Sequence, residues 1–167
     1  MNIFLYMNHT PSSFTLNDNY YTPRQAFADI IHLIPTNKTI YEPFIGSSRS
    51  GEFLQELLPN NKVIYNKEVD FFYNTFEYDL VVSNPPFSIA IKILTRLKEL
   101  NKPFILLLPA SRLCTQYIRK LFKKNIQIII PKKRINFISS DNSKKSCNFD
   151  CFWYCYKIDL PRDINWL

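Results

Sequence analysis

Short apolar runs alternate with amphipathic stretches along most of the chain. In "YTPRQAFADIIHLIP", Phe27, Ile30, Ile31 and Ile34 recur at helical spacing. Thr22 suits the N-cap, Pro23 the first helical position, and Pro35 ends the run. "KTIYEPF" predicts a strand running into a turn at Pro43, and "GEFLQELL" a helix with Phe53, Leu54, Leu57 and Leu58 on one face. "KVIYN" and "YDLVVSN" predict two further strands. "SIAIKILTRLKEL" predicts a helix with Ile89, Ile93, Leu97 and Leu100 near one stripe. "PFILLLP" is continuously apolar, the mark of a strand buried on both faces. Ser111 can cap a helix through "RLCTQYIRKLF", and "IQIII" and "FDCFWYCYKI" supply the last two strands.

Strands alternating with helices predict an α/β fold, a mostly parallel sheet with helices on both faces. The last two strands have no helical pattern between them. The polar loop "PKKRINFISSDNSKKS" joins them instead, which predicts an antiparallel C-terminal hairpin at the sheet edge. Residues 1–20 show no clear period and read as an N-terminal arm. The whole of 1–167 reads as a single domain, with no separate target-recognition domain.

Composition changes this picture little. The 167 residues carry a net charge of +7, which favours an anionic partner. No segment is long and apolar enough to span a bilayer, and "MNIFLYMNHT" lacks the features of a signal peptide, so a cytoplasmic protein without a membrane partner is expected. Cys114, Cys147, Cys151 and Cys155 form no C-x-x-C pair. They read as reduced thiols, and no metal site is expected.

The stretch "SNPPFS" ends an apolar strand. Two prolines stop the ladder and stiffen the turn, so Asn84 is held at the carboxyl end of the strand. In α/β sheets that is where ligands bind. The chain has only two glycines, Gly46 and Gly51, both in "EPFIGSSRSGEF" about forty residues earlier. Glycine at a strand-to-helix turn permits close backbone approach to a ligand.

Together these motifs resemble a known family. "EPFIG" is similar to the cofactor loop of class I S-adenosylmethionine-dependent methyltransferases, and "NPPF" to the catalytic motif of their adenine amino-methyltransferases. "YYTPRQAF" is similar to the Thr-Pro motif of many of them. The motif order matches one of their permutation classes, over roughly residues 20 to 110. The resemblance implies a Rossmann-like class I methyltransferase fold. It implies an enzyme, a site-specific methyltransferase that methylates the exocyclic amino group of adenine in DNA with S-adenosylmethionine as cofactor.

It also implies roles. Asn84 and the Pro85 carbonyl would accept from the target amino group, Pro86 would stiffen the turn, and Phe87 would stack on the base. Gly46, Glu42 and Phe44 would meet the methionine part of the cofactor, and Tyr21, Thr22 and Pro23 would close over it. Glu68 would bind the ribose hydroxyls, because a carboxylate accepts from both. Asp70 and Phe71 resemble the pair that reads the cofactor adenine. The loop departs from the family at Gly46, Ser47, Ser48, where a second glycine is replaced.

Basic residues cluster late in the chain. Lys132, Lys133 and Arg134, with Phe137, form a candidate nucleic-acid contact. Three alternatives stay open: RNA instead of DNA, a protein glutamine methyltransferase, and a non-catalytic methyltransferase-like subunit. A homodimer or a partner subunit is the expected source of specificity beyond the arm and the hairpin.

Overall fold

A computed structural model describes residues 20–45, 48–65, 69–74, 76–139 and 149–167. Its elements, in chain order, are β1 (Tyr20–Tyr21), α1 (Arg24–Ala28), β2 (Thr39–Tyr41), α2 (Ser50–Leu57), β3 (Lys62–Ile64), β4 (Leu80–Ser83), α3 (Ala90–Glu99), β5 (Phe104–Pro109), α4 (Gln116–Phe122), β6 (Ile126–Ile130), β7 (Ile138–Ser139), β8 (Cys151–Tyr156) and β9 (Ile164–Trp166). Single 3-10 turns lie at Ile31–Leu33, Phe87–Ile89 and Ala110–Cys114.

The main sheet has seven strands in the order β3-β2-β4-β5-β8-β6-β9. The pairs β2–β3, β2–β4, β4–β5 and β6–β9 are parallel. Only β8 runs against its neighbours β5 and β6. The carboxyl ends of β2, β3, β4, β5, β6 and β9 therefore open on one edge of the sheet. Alternation along β8 shows that both faces are covered. Trp153 packs on Phe27 of α1, with ring centroids 5.7 Å apart. Tyr156, three residues on and hence on the opposite face, packs on Phe122 of α4 at 5.2 Å. All six residues of β5 are buried, as a strand with helices on both sides requires. The mostly parallel sheet, the antiparallel pairing of β6 with β8 and the helices match the expected α/β class.

The arrangement differs from the sequence reading in three places. β8 does not lie at the edge. It inserts between β5 and β6, pairing with β5 from Phe104↔Tyr156 to Pro109↔Cys151. An apolar aromatic strand gains most by ladders on both sides and burial on both faces. The edge is formed by β9, which the sequence pattern does not reveal. Side chains hold it there: the Gln127 amide donates to Leu160 O and Arg162 O, and Asn165 Nδ2 donates to Ile128 O. Finally, Pro23 rather than Thr22 is the N-cap of α1, in an extended conformation, so the Thr22 hydroxyl lies one residue too early to cap. Ser111 likewise falls within a 3-10 turn, and α4 begins after Thr115, whose hydroxyl donates back to Arg112 O.

The N-terminal segment and the loop after β6 meet. β1 pairs antiparallel with β7, Tyr21 opposite Ile138. Residues 140–148 of the expected hairpin loop lie outside the described residues. No helix among the described residues is long and apolar enough to cross a membrane.

Candidate active site

The strand ends bring the two motifs together. β2 and β4 are parallel neighbours, with Tyr41 opposite Val81. Just beyond this pair, Glu42, which follows Tyr41, and Ser83, two residues after Val81, are both almost fully buried, at 1% and 0% exposure. Ser83 Oγ donates to Glu42 Oε1 at 2.5 Å, and the Phe44 backbone N–H donates to the same oxygen at 2.9 Å. Glu42 Oε2 is buried and has no hydrogen-bond partner among the described residues. Burial pushes the Glu42 carboxyl up to about 7, opposed by the hydrogen bonds from Ser83 and from the Phe44 N–H. A buried carboxylate with an unused oxygen is a receptor for a donor or a cation.

Gly46 and Glu68 lie outside the described residues. Beyond Gly46, Ser48 folds its hydroxyl into its own turn. It donates to Ile45 O at 2.6 Å and lies 3.0 Å from Ser50 Oγ. The side chain at the replaced glycine position is thus used within the turn. Gly51, at the start of α2, has a packing role: a Cβ there would lie 2.2 Å from Cγ of Tyr65. The missing side chain lets the end of β3 lie against the helix.

Phe44 and Phe71 meet, with ring centroids 5.1 Å apart, and Tyr41 packs beneath Phe71 at 6.4 Å. Asp70 is exposed, and its Oδ1 accepts from the Phe72 N–H at 2.8 Å, which closes the turn that carries Phe71. Tyr21 and Pro23 are half-buried, and Thr22 is buried with its hydroxyl lacking a partner among the described residues.

Asn84 is half-buried at the end of β4, Pro85 is buried, and Pro86 opens the 3-10 turn at Phe87–Ile89. Arg112 Nη2, from the turn after β5, donates to Phe87 O at 3.2 Å and ties down this turn. The Phe87 ring points inward. It is 3% exposed and meets Phe149 edge-on at 5.9 Å. With its ring this buried, Phe87 offers no open face to a base in this arrangement.

In the loop after β6, Lys132 and Lys133 are exposed, whereas Arg134 grips Asp150 through two hydrogen bonds of 2.7 and 3.1 Å. Phe137 is 1% exposed and anchors the loop in the core rather than offering a contact. Among the described residues no group of three His, Cys, Asp or Glu could hold a metal ion.

No protein-family model and no curated protein sequence matches the chain. Solved structures do. A precorrin-6y C5,15-methyltransferase from Geobacter metallireducens GS-15 superposes with a TM-score of 0.53 at 11% identity, over 85% of this chain and 96% of that one. This is the Rossmann-like methyltransferase fold. A modification subunit from Vibrio vulnificus YJ016 shares it, with a TM-score of 0.53 at 9% identity, over 83% of this chain and 44% of that one. A dimethyladenosine transferase from Plasmodium falciparum aligns with a TM-score of 0.49 at 14% identity, over 81% of this chain and 62% of that one. The chain thus spans less than two thirds of the latter two proteins.

On this methyltransferase fold, Glu42, Phe44, Asp70, Phe71 and Asn84 all follow the carboxyl ends of β2, β3 and β4. Lys132 and Lys133 lie along the same edge, beyond β6. Sequence reasoning assigned no role to Ser83. Its signal was a polar residue at the end of a strand whose other residues are all apolar. Nothing local announced the contacts of Arg112 with Phe87 or of Tyr65 with Gly51, because both partners are distant in the chain.

Proposed function

We propose that this chain is an S-adenosylmethionine-dependent methyltransferase acting on the exocyclic amino group of adenine in DNA. The observation that carries the reading is the Ser83–Glu42 hydrogen bond, which joins "EPFIG" to "NPPF" at adjacent strand ends. A methyl transfer needs its donor and its acceptor side by side, and this pair sets the two motifs next to each other.

The cofactor fits what the site lacks. The ammonium of its methionine part is the donor that Glu42 Oε2 is missing. Phe44 and Phe71 supply an apolar wall, and Asp70 a carboxylate at its rim. Glu68 and Gly46 keep their roles from the motif resemblance, as do Tyr21, Thr22 and Pro23. S-adenosylmethionine supplies an activated methyl group on a sulfonium. Asn84 Oδ1 and Pro85 O then accept from the amino hydrogens of the target. That localises the nitrogen lone pair, which otherwise delocalises into the ring and makes a poor nucleophile. Pro86 and the Arg112 hydrogen bond keep the turn still. Phe87 stacks on the base once its buried ring is uncovered. Lys132 and Lys133 hold the phosphates of the nucleic acid.

Incubation with labelled cofactor and a panel of DNA, RNA and protein acceptors tests the proposal. Label in adenine of DNA supports it. Label in RNA, or in a protein glutamine, moves the substrate to that class. Cofactor binding by the chain with no labelled acceptor, even in the presence of a partner subunit, marks a non-catalytic subunit.

A further inference from the structure

A groove runs along the carboxyl edge of the sheet beyond β6. Its larger part is a cavity of about 420 Å³ between Pro23 and Ala26 on one side and Pro131, Ile135 and Trp153 on the other. A smaller cavity of about 230 Å³ adjoins it, sharing Asp29, Lys132 and Leu167 and adding His32 and Trp166. Trp166, at the end of β9, is 76% exposed, whereas Trp153 is fully buried. The exposed indole offers an open ring face beside the cavity, the kind of platform on which a base stacks.

The charge of the groove agrees. Lys132 and Lys133 are exposed and form no ion pair with a carboxylate among the described residues. Asp29, the acidic side chain that lines the groove, accepts a 2.7 Å hydrogen bond from the Gln25 side chain. The loop that carries the lysines is held at three points: the Arg134–Asp150 ion pair, the buried Ile135 and Phe137, and the pairing of β7 with β1. The lysines therefore start from a fixed backbone, so less ordering is required on binding.

We infer that this groove holds a flanking nucleotide of a single-stranded nucleic-acid segment, with its base stacked on Trp166 and its phosphates on Lys132 and Lys133. The inference rests on the nucleic-acid substrate proposed above. A single strand is required because a duplex hides the base faces within its own stack, and an indole can stack only on an open face. The groove shares the carboxyl edge of the sheet with Asn84, so a strand lying in it can continue towards the "NPPF" turn.

The two tryptophans of the chain give the test its signal. Emission and anisotropy are followed while the full chain is titrated, at low salt, with a single-stranded DNA of about 12 nucleotides and with an abasic strand of equal length. The expected result is quenching in the parent by the DNA but not by the abasic strand, and no quenching in Trp166→Phe, where only the buried Trp153 emits. Trp166→Ala weakens binding about five- to a hundredfold. Replacing Lys132 and Lys133 by alanine lowers the salt slope by about 0.7 per lost phosphate contact. If the DNA binds parent and Trp166→Ala alike without changing emission, the groove inference falls and the substrate reading stands. If calorimetry shows cofactor binding but no strand binds at low salt, the nucleic-acid reading falls and this inference with it. A dimer in sedimentation that Trp166→Ala converts to monomer assigns the groove to a second copy and overturns the inference.

Discussion

Ser83, at the end of β4, donates its hydroxyl to Glu42, just past the end of β2, at 2.5 Å. The bond satisfies half of a buried carboxyl and leaves the other oxygen open. It also fixes the spacing of the two motifs that the proposed reaction needs together.

Ser83→Ala removes this donor from a buried acceptor. Losing a hydrogen bond to a buried charged group costs about 1–3 kcal/mol. Urea unfolding of parent and variant near neutral pH measures the loss. Calorimetry of the variant should also show weaker cofactor binding, because Glu42 is then harder to ionise. A variant with parental stability and affinity would reduce the pair to a packing contact.

Glu42 gives a dependence on pH with a defined sign. Its folded pKa, about 7, stands above the value of 4.5 for an unperturbed glutamate, because burial disfavours the charge. The contribution of this group to stability is full below pH 4.5 and is lost as pH rises through about 7. The difference in stability between parent and Glu42→Gln should therefore fall across that window. Binding of a cationic group needs the ionised form, so cofactor affinity should rise with pH up to about 7 and then level. Calorimetry in buffers of different ionisation enthalpy should detect a proton released on binding, and Glu42→Gln should remove that signal.

Gly51→Ala sets helix propensity against packing. Within an exposed helix the change favours folding by about 1 kcal/mol. Here the new Cβ would lie 2.2 Å from the Tyr65 ring, and an overpacked contact costs about 1–3 kcal/mol. The single variant should be less stable than the parent, and the loss should shrink in a Tyr65→Gly background, because Tyr65→Ala would keep a Cβ 2.6 Å from the new one. Thermal unfolding of the four proteins in the cycle gives the coupling directly.

In the proposed reaction, Asn84→Ala removes an acceptor that acts on the target amino group in the transition state. Methyl transfer should fall about a hundredfold, with cofactor binding unchanged. Single-turnover rates with labelled cofactor, beside calorimetry, separate the two effects. Full activity in the variant would leave "NPPF" only a structural turn.

Arg112→Ala tests the support behind that turn, since its hydrogen bond to Phe87 O is lost. Displacing a reacting group by about 1 Å can cost about a hundredfold in rate. The loss should appear in the chemical step, with cofactor affinity and unfolding midpoint close to the parent. An equal fall in stability would assign Arg112 to folding alone.

Much of this molecule was legible in its sequence. The mainly apolar runs at 80–83, 104–109 and 126–130 became strands β4, β5 and β6, because a short apolar stretch bounded by turns has few other ways to bury itself. The prolines after Ser83 ended β4 where backbone donors run out. The hydrophobic stripe of α3 faced the core at Ile93 and Leu97, as its spacing required. These are local rules, acting within a few residues.

Tertiary structure alone decided what depends on partners far along the chain. Period-2 alternation cannot say which strand β8 will join, and pairing with β5 and β6 at once placed it inside the sheet. β9 is short and exposed, and it is held by side chains of Gln127 and Asn165 rather than by its own pattern. Lys132, Lys133 and Arg134 read alike in sequence, yet Asp150 engages the arginine while the lysines stay exposed, because an ion pair depends on what the fold brings near. Ser83 and Glu42 are 41 residues apart, and their hydrogen bond exists only because β2 and β4 are neighbours. Local sequence sets the period and ends of each element, whereas hydrogen bonds and charges between distant residues are set by the packing that brings them together.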